Sequence, residues 1–434
     1  MKKVLVISYY FPPAGGPGVQ RWLKFVKYLN HYGVEPVMYV PENADYPITD
    51  PTLAGEIPEG LKIYRGKIIE PNRILSRLGA KKAKDTSAGF IDSSSGKKGL
   101  LGKTLAWIRA NIFIPDARML WIRPSVRRCA RILREEGIDT VISTGPPHST
   151  HMIALALKKK RLCRRWIADF RDPWTKIDYF HHLPLTGPAL KLHRKMESRV
   201  LSEADDVITV SRSMARDYQD RVKGFLHVIT NGFDISDAPC GKTLPDEKFT
   251  ISHIGSMNAD RNPEELWETL GEICREKPSF ASDLQIRLTG NVSPEVFRSL
   301  ELSGLSGHTV HIPYAPHTEV VRMQYSSRVL LMMMNRTPDG AMYIAGKLFE
   351  YLAARRPVLL VGFSDSDAAD ILRDAGAGYA VDFEDKKSLK TAVETLYKSY
   401  KDGTDCTLSN KGSLDKYSRE ALTARLAREV ILKP

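Results

Sequence analysis

Short apolar runs alternate with amphipathic helical patterns along the chain, as in parallel sheets covered by helices. The run at 4–8 predicts a buried first strand. After a loop at 9–18, apolar residues recur at the spacing of one helix face: Trp22, Phe25, Val26 and Leu29. The next strand is predicted at 36–40.

The alternation continues and then restarts after a polar, proline-containing stretch at about 235–248. Before that stretch the pattern predicts helices 125–136, 150–160 and 187–203, and strands 140–144, 166–170 and 206–210. After it the pattern predicts strands 250–255, 284–290, 309–312, 328–334 and 357–362, and helices 263–276, 346–354, 366–375 and 416–431. We therefore predict two doubly wound α/β domains, at 1–236 and 237–415, followed by a last helix in 416–434.

Positive charge is concentrated in the first half of the chain. Residues 1–240 carry 39 Lys and Arg against 24 Asp and Glu, a net charge of +15, whereas 241–434 carry 25 against 27, a net charge of −2. Six lysines lie in the Ser- and Gly-rich segment 81–103, which predicts a surface loop, and an aromatic and aliphatic stretch follows at 107–114. This charge favours a large anionic partner, and nucleic acid, an anionic membrane face and a lipid-diphosphate acceptor all fit it. General solubility is the alternative.

The cellular location is predicted from apolar runs and cysteines. The run at 4–7 is too short for a signal peptide, and the run at 329–334 is far shorter than the roughly 20 residues that span a bilayer. The five cysteines include no C-x-x-C pair, which is typical of reduced thiols in the cytosol. We expect a cytoplasmic protein, peripheral on the inner face of the membrane where the basic half binds it.

A glycine-rich turn, FPPAGGPGVQR, follows the first strand and opens a helix. Gly15 and Gly16 would let the backbone approach a phosphate, and the helix N-terminus offers free N–H groups to an anion. The turn is not G-x-G-x-x-G, and it has no Walker lysine. Glycines in such a turn also serve close packing, so both interpretations stay open.

The segment PDGAMYIAGKLFEYLAARRPVLL at 338–360 places Lys347 and Glu350 on one face of a helix that begins near Gly346. Because a helix N-terminus is already partly positive, a lysine there suggests a bound diphosphate, with Glu350 accepting from ribose hydroxyls. A surface Lys–Glu pair is the alternative that the spacing by itself favours.

These two segments, together with STGPPHSTH, DFRDPW, ITNGFD and IGSMNADRNPEELW, resemble retaining glycosyltransferases of family 4, especially bacterial members that build surface polysaccharides. The resemblance runs from Val4 to the last helix. It implies the GT-B fold, in which two Rossmann-like domains face each other across a cleft. It also implies a nucleotide-sugar donor bound mainly by the second domain, with the last helix packing back toward the first.

The resemblance assigns donor-binding residues by position. Glu350 matches the glutamate that holds the donor ribose, but the family's first motif glutamate is replaced by Met342, and Asp339 is close by in a different register. The remaining positions predicted to contact the donor are Gly15, Gly16, Asn231, Gly232, Arg261, Gly346 and Lys347.

Candidate catalytic residues lie after two strands of the first domain, where a parallel sheet opens into the crevice. Asp172 or Arg171 in DFRDPW is predicted to touch the transferred sugar or orient the acceptor hydroxyl. His148 is the third candidate catalytic residue, and it and His151 are predicted to bind the donor. The alternatives are a turn or helix cap for Asp172 and a helix start for His148 and His151.

No metal site is predicted. A cluster of His148, His151 and Asp172 lacks metal-ligand spacing. The string Asp365-Ser366-Asp367 resembles a metal-binding D-x-D motif but precedes a helix, where acidic residues act as N-caps.

We therefore expect a retaining, metal-independent glycosyltransferase that uses a nucleotide sugar as co-substrate and needs no other cofactor. Its acceptor would be a glycan or a lipid-linked glycan. Arg261 and Lys347 would stabilise the diphosphate leaving group electrostatically. The alternatives are a GT-B isomerase or epimerase and a non-catalytic basic binding protein. Nucleic acid is not an expected partner, because the sequence lacks an aromatic-basic RNA-binding motif.

Overall fold

The computed structural model describes residues 1–70, 100–177, 180, 183–239, 241, 243–337, 339–404 and 414–433. Contacts between residues divide the chain into two units. Unit 1 comprises Met1–Thr230 and Arg419–Pro434, and unit 2 comprises Asn231–Ser418. Positions 81–99 of the predicted lysine-rich loop lie outside the described residues.

Unit 1 contains a seven-stranded parallel sheet in the order β3-β2-β1-β4-β5-β6-β7. Its strands are β1 (Lys2–Ile7), β2 (Val34–Pro41), β3 (Lys62–Gly66), β4 (Thr140–Gly145), β5 (Arg165–Phe170), β6 (Asp206–Thr209) and β7 (Phe225–Val228). Its helices up to Thr230 are α1 (Pro17–Leu29), α2 (Leu100–Asn111), α3 (Met119–Glu136), α4 (Ser149–Lys159), α5 (Gly187–Glu203) and α6 (Arg212–Tyr218). The strand order reverses between β1 and β4, so this sheet has its switch point there.

Unit 2 contains a six-stranded parallel sheet in the order β10-β9-β8-β11-β12-β13. Its strands are β8 (Phe249–Ile254), β9 (Leu284–Thr289), β10 (Thr309–Ile312), β11 (Val329–Met333), β12 (Val358–Val361) and β13 (Gly378–Val381). Its helices are α7 (Glu264–Glu276), α8 (Pro278–Asp283), α9 (Pro294–Leu302), α10 (His317–Ser326), α11 (Lys347–Ala354), α12 (Asp367–Ala375) and α13 (Lys386–Lys401). Here the switch point lies between β8 and β11.

The apolar strands form because both faces of each sheet are covered. In β11, Leu331 and Met333 pack into the core beside α7 and α13. Leu330 and Met332 point to the other face and pack beside α11 and α12. Successive strand residues face opposite sides, so a strand covered on both sides is apolar throughout.

The C-terminal segment belongs to unit 1. Helix α14 (Arg419–Arg425) continues as a π-helical stretch, Leu426–Ile431. Leu422, Leu426 and Val430 join the core that contains the apolar face of α1. Arg165, paired with a buried aspartate, donates to the carbonyl oxygen of Val430 at 2.8 Å.

Most predicted elements are confirmed to within a few residues, and helix 187–203 has the predicted bounds. Two predictions were wrong at their edges. Residues 100–103 belong to α2 rather than to a loop, since no proline interrupts the helix-forming run that follows. Helix α3 begins at Met119 instead of 125, because Pro124 lies inside it rather than at its start. The short strand β3 was not predicted, since it has no fully buried residue.

The D-x-D string precedes a helix, as predicted, but the capping group is different. The hydroxyl of Ser366 accepts a hydrogen bond from the Ala369 N–H at the start of α12. Asp367 lies in the first turn of that helix. The serine therefore makes the N-cap, and the carboxylate of Asp367 adds the negative charge that a helix N-terminus favours.

Candidate functional site

The carboxyl ends of β8 and β11 bring two of the predicted donor-binding cations to the switch point of unit 2. Arg261 ends a 3₁₀ turn in the loop after β8, and its Nε donates to Oδ1 of Asn335 at 2.6 Å. Asn335 follows β11, so this hydrogen bond joins the loops after β8 and β11 at the switch point. Lys347 is the first residue of α11, next to the exposed N-cap residue Gly346.

Two glycines let Lys347 approach the backbone at the end of β8. Gly255 directly follows that strand with φ of 118°, and a Cβ built there would lie 2.5 Å from Lys347 Nζ. Gly290 follows β9 with φ of 114°, and its Cβ would lie 2.8 Å from the Gly255 carbonyl oxygen. Both positions combine a left-handed backbone with a close contact, which only glycine tolerates. The ammonium group is therefore held against a tightly packed backbone.

The electrostatics of Lys347 suit an anionic ligand. Burial and, to a smaller extent, the charge of Arg261 lower the pKa of its ammonium group to about 8, and Glu350 opposes the shift. Among the described residues, no carboxylate oxygen lies within 4.0 Å of its Nζ. Two neighbouring cations without a close counter-charge on the lysine are suited to a multiply charged anion such as a diphosphate.

Glu350 lies one turn further along α11. Its side chain is exposed, and its Oε2 accepts a hydrogen bond from Nε2 of the buried Gln324 at 3.0 Å. Gln324 belongs to α10, so a second helix orients the carboxylate. Asp339 and Met342 bound the short 3₁₀ turn between β11 and α11, and both are half-buried.

His253 is a residue of this site that the sequence analysis missed. It lies on β8, is 2 % exposed, and its Nδ1 is 3.1 Å from the carbonyl oxygen of Leu331. That contact assigns the proton to Nδ1 and leaves Nε2 as the acceptor nitrogen. Burial and the charge of Lys347 lower the pKa of the imidazole to about 3. A histidine near the carboxyl end of a fully buried strand was the signal for it.

Binding of UDP or GDP is expected to weaken as the pH rises through about 8, because Lys347 then loses its proton. The loss should reach up to about tenfold in affinity per pH unit above that value. Titration calorimetry over a range of pH measures it. Lys347→Arg should move the decline to higher pH, because a guanidinium stays charged. Equal pH dependence in wild type and Lys347→Met would contradict the assignment.

In unit 1, Arg171 joins the loops at the switch point. Its Nη1 donates to the carbonyl oxygen of Gly18 at 2.6 Å, its Nε to that of Gly145 at 3.3 Å, and its Nη2 to that of Pro146. Burial lowers the pKa of the guanidinium, and the charge of Asp172 opposes that shift. All three nitrogens already bind backbone, which favours a positioning role over contact with a sugar.

The glycine-rich turn lies against the loop after β2. The Gly15 N–H donates to the carbonyl oxygen of Ile48 at 2.9 Å. Gly16 has φ of 83° and is the N-cap residue of α1. The left-handed backbone explains the glycine at this position. The turn therefore occupies the β1 side of the switch point, as predicted from its place after the first strand.

His148 and His151 are buried at the start of α4. The ring of His148 stacks on Trp174 with centroids 4.2 Å apart, and His151 Nδ1 is 2.8 Å from Ser143 Oγ. Burial lowers the pKa of both imidazoles, to about 3 for His151. Within the part of the chain that the structure describes, His148 Nδ1 and His151 Nε2 make no hydrogen bond, and both lie near Gly145. They are neutral at physiological pH and offer hydrogen bonds rather than charge.

A buried carboxylate, Asp169 on β5, organises the same face of unit 1. It is 0 % exposed and pairs with Arg21, whose Nη2 lies 2.8 Å from Oδ1. Trp22 Nε1 and Thr144 Oγ1 each donate to Oδ2 at 2.8 Å. Arg21 also donates to the carbonyl oxygen of Thr230 at 2.9 Å. The Asp169 side chain therefore connects α1, β4 and β5, next to the glycine-rich turn.

Asn231 and Gly232 are the first residues of unit 2, and both are half-buried. The next residue, Phe233, donates its N–H to the carbonyl oxygen of Tyr417 at 3.1 Å. The segment entering unit 2 thus pairs with the segment leaving it. The donor contacts predicted for Asn231 and Gly232 stay predictions.

Two general properties complete the description of the site. Within the described ranges, no three His, Cys, Asp or Glu side chains come close enough together to hold a metal ion. The same ranges contain no helix with the length and apolar character needed to cross a bilayer.

Comparison with known proteins supports this picture. Residues 93–237 match the model of Glycosyltransferase Family 4. No curated protein matches the sequence. Sucrose-phosphate synthase from Thermosynechococcus elongatus has the same fold with a TM-score of 0.60 at 13% identity, covering 99% of this chain and 98% of its own. WaaG, a glycosyltransferase involved in lipopolysaccharide biosynthesis, gives a TM-score of 0.56 at 11% identity, covering 99% of this chain and 100% of its own.

A putative UDP-N-acetylglucosamine 2-epimerase from Listeria monocytogenes also shares the fold, with a TM-score of 0.54 at 11% identity and coverage of 98% of this chain and 95% of its own. At such identities the likeness shows the fold alone. The family match confirms the resemblance to glycosyltransferase family 4 over residues 93–237, and the solved structures show that the chain has the GT-B fold.

Proposed function

We propose that the protein transfers a sugar from a nucleotide-diphosphate sugar to a glycan or lipid-linked acceptor, with retention of configuration and without a metal ion. The observation that carries this proposal is that two cations, Lys347 and Arg261, are neighbours at the switch point of unit 2. Lys347 is held against Gly255, and its pKa registers the nearby charge of Arg261.

The chemistry follows from where negative charge develops. As the bond between the sugar and the diphosphate breaks, charge accumulates on the leaving phosphate oxygens. Two fixed cations stabilise that charge without having to reorganise, which is the main electrostatic contribution in such reactions. Glu350, oriented by Gln324, accepts hydrogen bonds from the ribose hydroxyls. The donor nucleotide is thereby bound and oriented by unit 2.

The proposed catalytic residues of unit 1 act on the sugar and the acceptor. Asp172 is a half-buried carboxylate that orients the acceptor hydroxyl. His148 is held flat against Trp174 and stays neutral, so it provides a hydrogen bond to a sugar hydroxyl. Arg171 positions the glycine-rich turn through Gly18. Gly15 and Gly16 in that turn allow the backbone to approach the donor phosphate.

A lipid-linked acceptor at an anionic membrane surface fits the charge of the chain. Residues 1–240 carry a net charge of +15, so the acceptor-side unit is strongly basic. WaaG, which shares the fold, takes part in lipopolysaccharide biosynthesis. The protein would then act in the cytoplasm, peripherally on the inner face of the membrane.

We expect transfer to proceed undiminished in EDTA and to give a product with the anomeric configuration of the donor. Two cations at the diphosphate replace the metal, whereas retention is inferred from the family resemblance. A panel of nucleotide sugars with and without acceptor, followed by proton NMR of the product, measures both. Loss of turnover in EDTA with recovery on adding Mn²⁺ would contradict the first expectation, and an inverted anomeric centre the second.

The same panel separates the alternatives. An isomerase or epimerase would convert a nucleotide sugar without any acceptor and release no nucleoside diphosphate. A non-catalytic protein would show neither reaction, and UDP or GDP would not raise its melting temperature. Release of nucleoside diphosphate that increases when an acceptor is added supports the transferase.

A further inference from the structure

Helix α3 carries a line of exposed arginines along its outer face. Four of them are spaced four, four and three residues apart: Arg123, Arg127, Arg131 and Arg134. At about 100° per residue these positions, and Leu120 before them, fall within about 80° of the helix circumference. The five residues, here called the α3 stripe, extend over roughly 21 Å at 1.5 Å per residue.

The opposite face of α3 is anchored in unit 1. Trp121 stacks on Tyr39 of β2, with ring centroids 5.5 Å apart and nearly parallel planes. Ser125 Oγ accepts a hydrogen bond from the Tyr39 hydroxyl at 2.9 Å, and Cys129 is fully buried. The helix therefore has no freedom to turn, and the stripe is held facing outward.

The stripe is not neutralised by neighbouring carboxylates. No carboxylate oxygen of the described residues lies within 4.0 Å of any of its four guanidinium groups. Helix α13 differs from it. Three of its five lysines pair with carboxylates of neighbouring helices: Lys386 with Glu268, Lys390 with Glu276 at 2.8 Å, and Lys401 with Asp283 at 3.1 Å. Most of the charge on α13 is thus paired, whereas none of the four arginines of the stripe has a carboxylate partner among the described residues.

Exposed apolar side chains accompany these charges. Leu120, on the stripe itself, is 46 % exposed. In the segment before α3, Trp107 is 45 % and Ile112 is 56 % exposed. Cations alone would suit any polyanion, whereas exposed leucine, isoleucine and tryptophan also suit the interfacial region of a bilayer.

The start of the stripe lies next to the switch point of unit 1. Trp121 contacts Tyr9 with ring centroids 6.3 Å apart, and Arg118 lies over the ring of Tyr9 at 4.7 Å. Tyr9 closely follows β1, at the carboxyl edge of the sheet. A surface bound along α3 would therefore lie next to the carboxyl edge of the unit 1 sheet, where the acceptor is predicted to bind.

We infer that the α3 stripe is the surface that docks unit 1 on an anionic lipid bilayer. The helix lies along the membrane, its arginines contact acidic headgroups, and Leu120 enters the interface. This inference rests on the proposed function in one respect: docking would bring the protein to a lipid-linked acceptor.

The test is co-sedimentation with vesicles of phosphatidylcholine, with and without phosphatidylglycerol, at low salt. Wild type should bind the vesicles that contain phosphatidylglycerol. The triple variant Arg123→Gln, Arg127→Gln, Arg131→Gln should bind them about 100-fold more weakly, since each cation contributes roughly fivefold near an anionic surface. The matched control removes three exposed cations of unit 2 that have no carboxylate partner among the described residues, and it should bind like wild type: Arg298→Gln, Lys387→Gln, Lys398→Gln.

Leu120→Ser separates a bilayer from a soluble polyanion. It should weaken vesicle binding roughly fivefold, because one half-exposed leucine no longer enters the interface, and leave heparin binding unchanged. The inference is overturned if wild type ignores anionic vesicles, if it binds heparin only, or if the stripe and control variants lose equal affinity.

Donor turnover keeps this test distinct from that of the proposed function. The stripe variant should bind UDP or GDP and hydrolyse donor in solution like wild type, which also shows that it is folded. If wild type binds vesicles through the stripe but never turns over a nucleotide sugar, the proposed function fails and the docking surface stands.

Discussion

Replacing Lys347 by alanine is expected to weaken binding of the donor nucleotide about 10- to 100-fold. The ammonium group lies against Gly255 without a carboxylate within 4.0 Å among the described residues, so a bound diphosphate would be its partner. A hydrogen bond to a charged group contributes about 1.5–3 kcal/mol, and its loss leaves the phosphate undercompensated. Titration calorimetry with UDP and GDP gives the dissociation constants, and donor turnover should fall in parallel.

Lys387→Ala is the matched control for this variant. Lys387 is an exposed lysine at the start of α13, in the same unit, so its removal changes the charge of unit 2 equally. It should leave affinity and turnover unchanged. If Lys347→Ala binds both nucleotides as tightly as the control, the donor site lies elsewhere.

Replacing Asp169 by alanine is expected to lower the free energy of unfolding by about 3–5 kcal/mol. The carboxylate is fully buried against Arg21, which is 1 % exposed. Its removal leaves a guanidinium charge in the interior without a counter-charge, the situation in which a broken buried pair is most costly. Trp22 and Thr144 also lose their acceptor.

Urea denaturation followed by tryptophan fluorescence measures this change. Five of the six tryptophans lie in unit 1, so the signal reports mainly on the unit that contains Asp169. Glu203→Ala, which removes the exposed ion pair with Lys159, should cost no more than about 1 kcal/mol. Equal destabilisation by both variants would show that Asp169 is not the organising residue proposed here.

The GT-B fold alone does not decide the reaction. A sucrose-phosphate synthase and an epimerase both share it with this chain at low identity. Such folds carry different chemistries according to the groups placed at their switch points. Here those groups are the neighbouring cations Lys347 and Arg261 in unit 2. The expected loss of nucleotide affinity in Lys347→Ala is therefore the more direct test of function.

Local patterns were sufficient for most of the secondary structure. The apolar spacing of Trp22, Phe25, Val26 and Leu29 predicted α1, because a helix buries one face whatever it packs against. Helix α13 was missed although its buried residues have the same spacing, and β3 was missed because it has no such pattern. Strand β3 pairs along the edge of the sheet and buries no residue fully, so its sequence carries little signal.

In the candidate site, too, local features were predicted and long-range contacts were not. Lys347 and Glu350 were recognised because they are close in sequence on one helix. The bond from Arg261 to Asn335 joins residues 74 positions apart, and no local pattern specifies it. Asp172 or Arg171 was predicted to touch the sugar or orient the acceptor hydroxyl, which stays a prediction. The sequence did not indicate that the Arg171 donors are directed to three backbone carbonyl groups. Those acceptors come from two other loops, which only the folded sheet brings together.

The sequence by itself determined two α/β domains, the glycine-rich turn after β1, and a lysine and a glutamate on one face of α11. These features depend on neighbours within one or two helical turns, where spacing decides which side chains share a face. The tertiary structure decided that Lys347 packs against Gly255, that Asp169 is buried with Arg21, and that the arginines of α3 face outward without carboxylate partners among the described residues. Burial and charge pairing arise only when strands distant in sequence align. The sequence of a single segment therefore does not predict their contribution to stability.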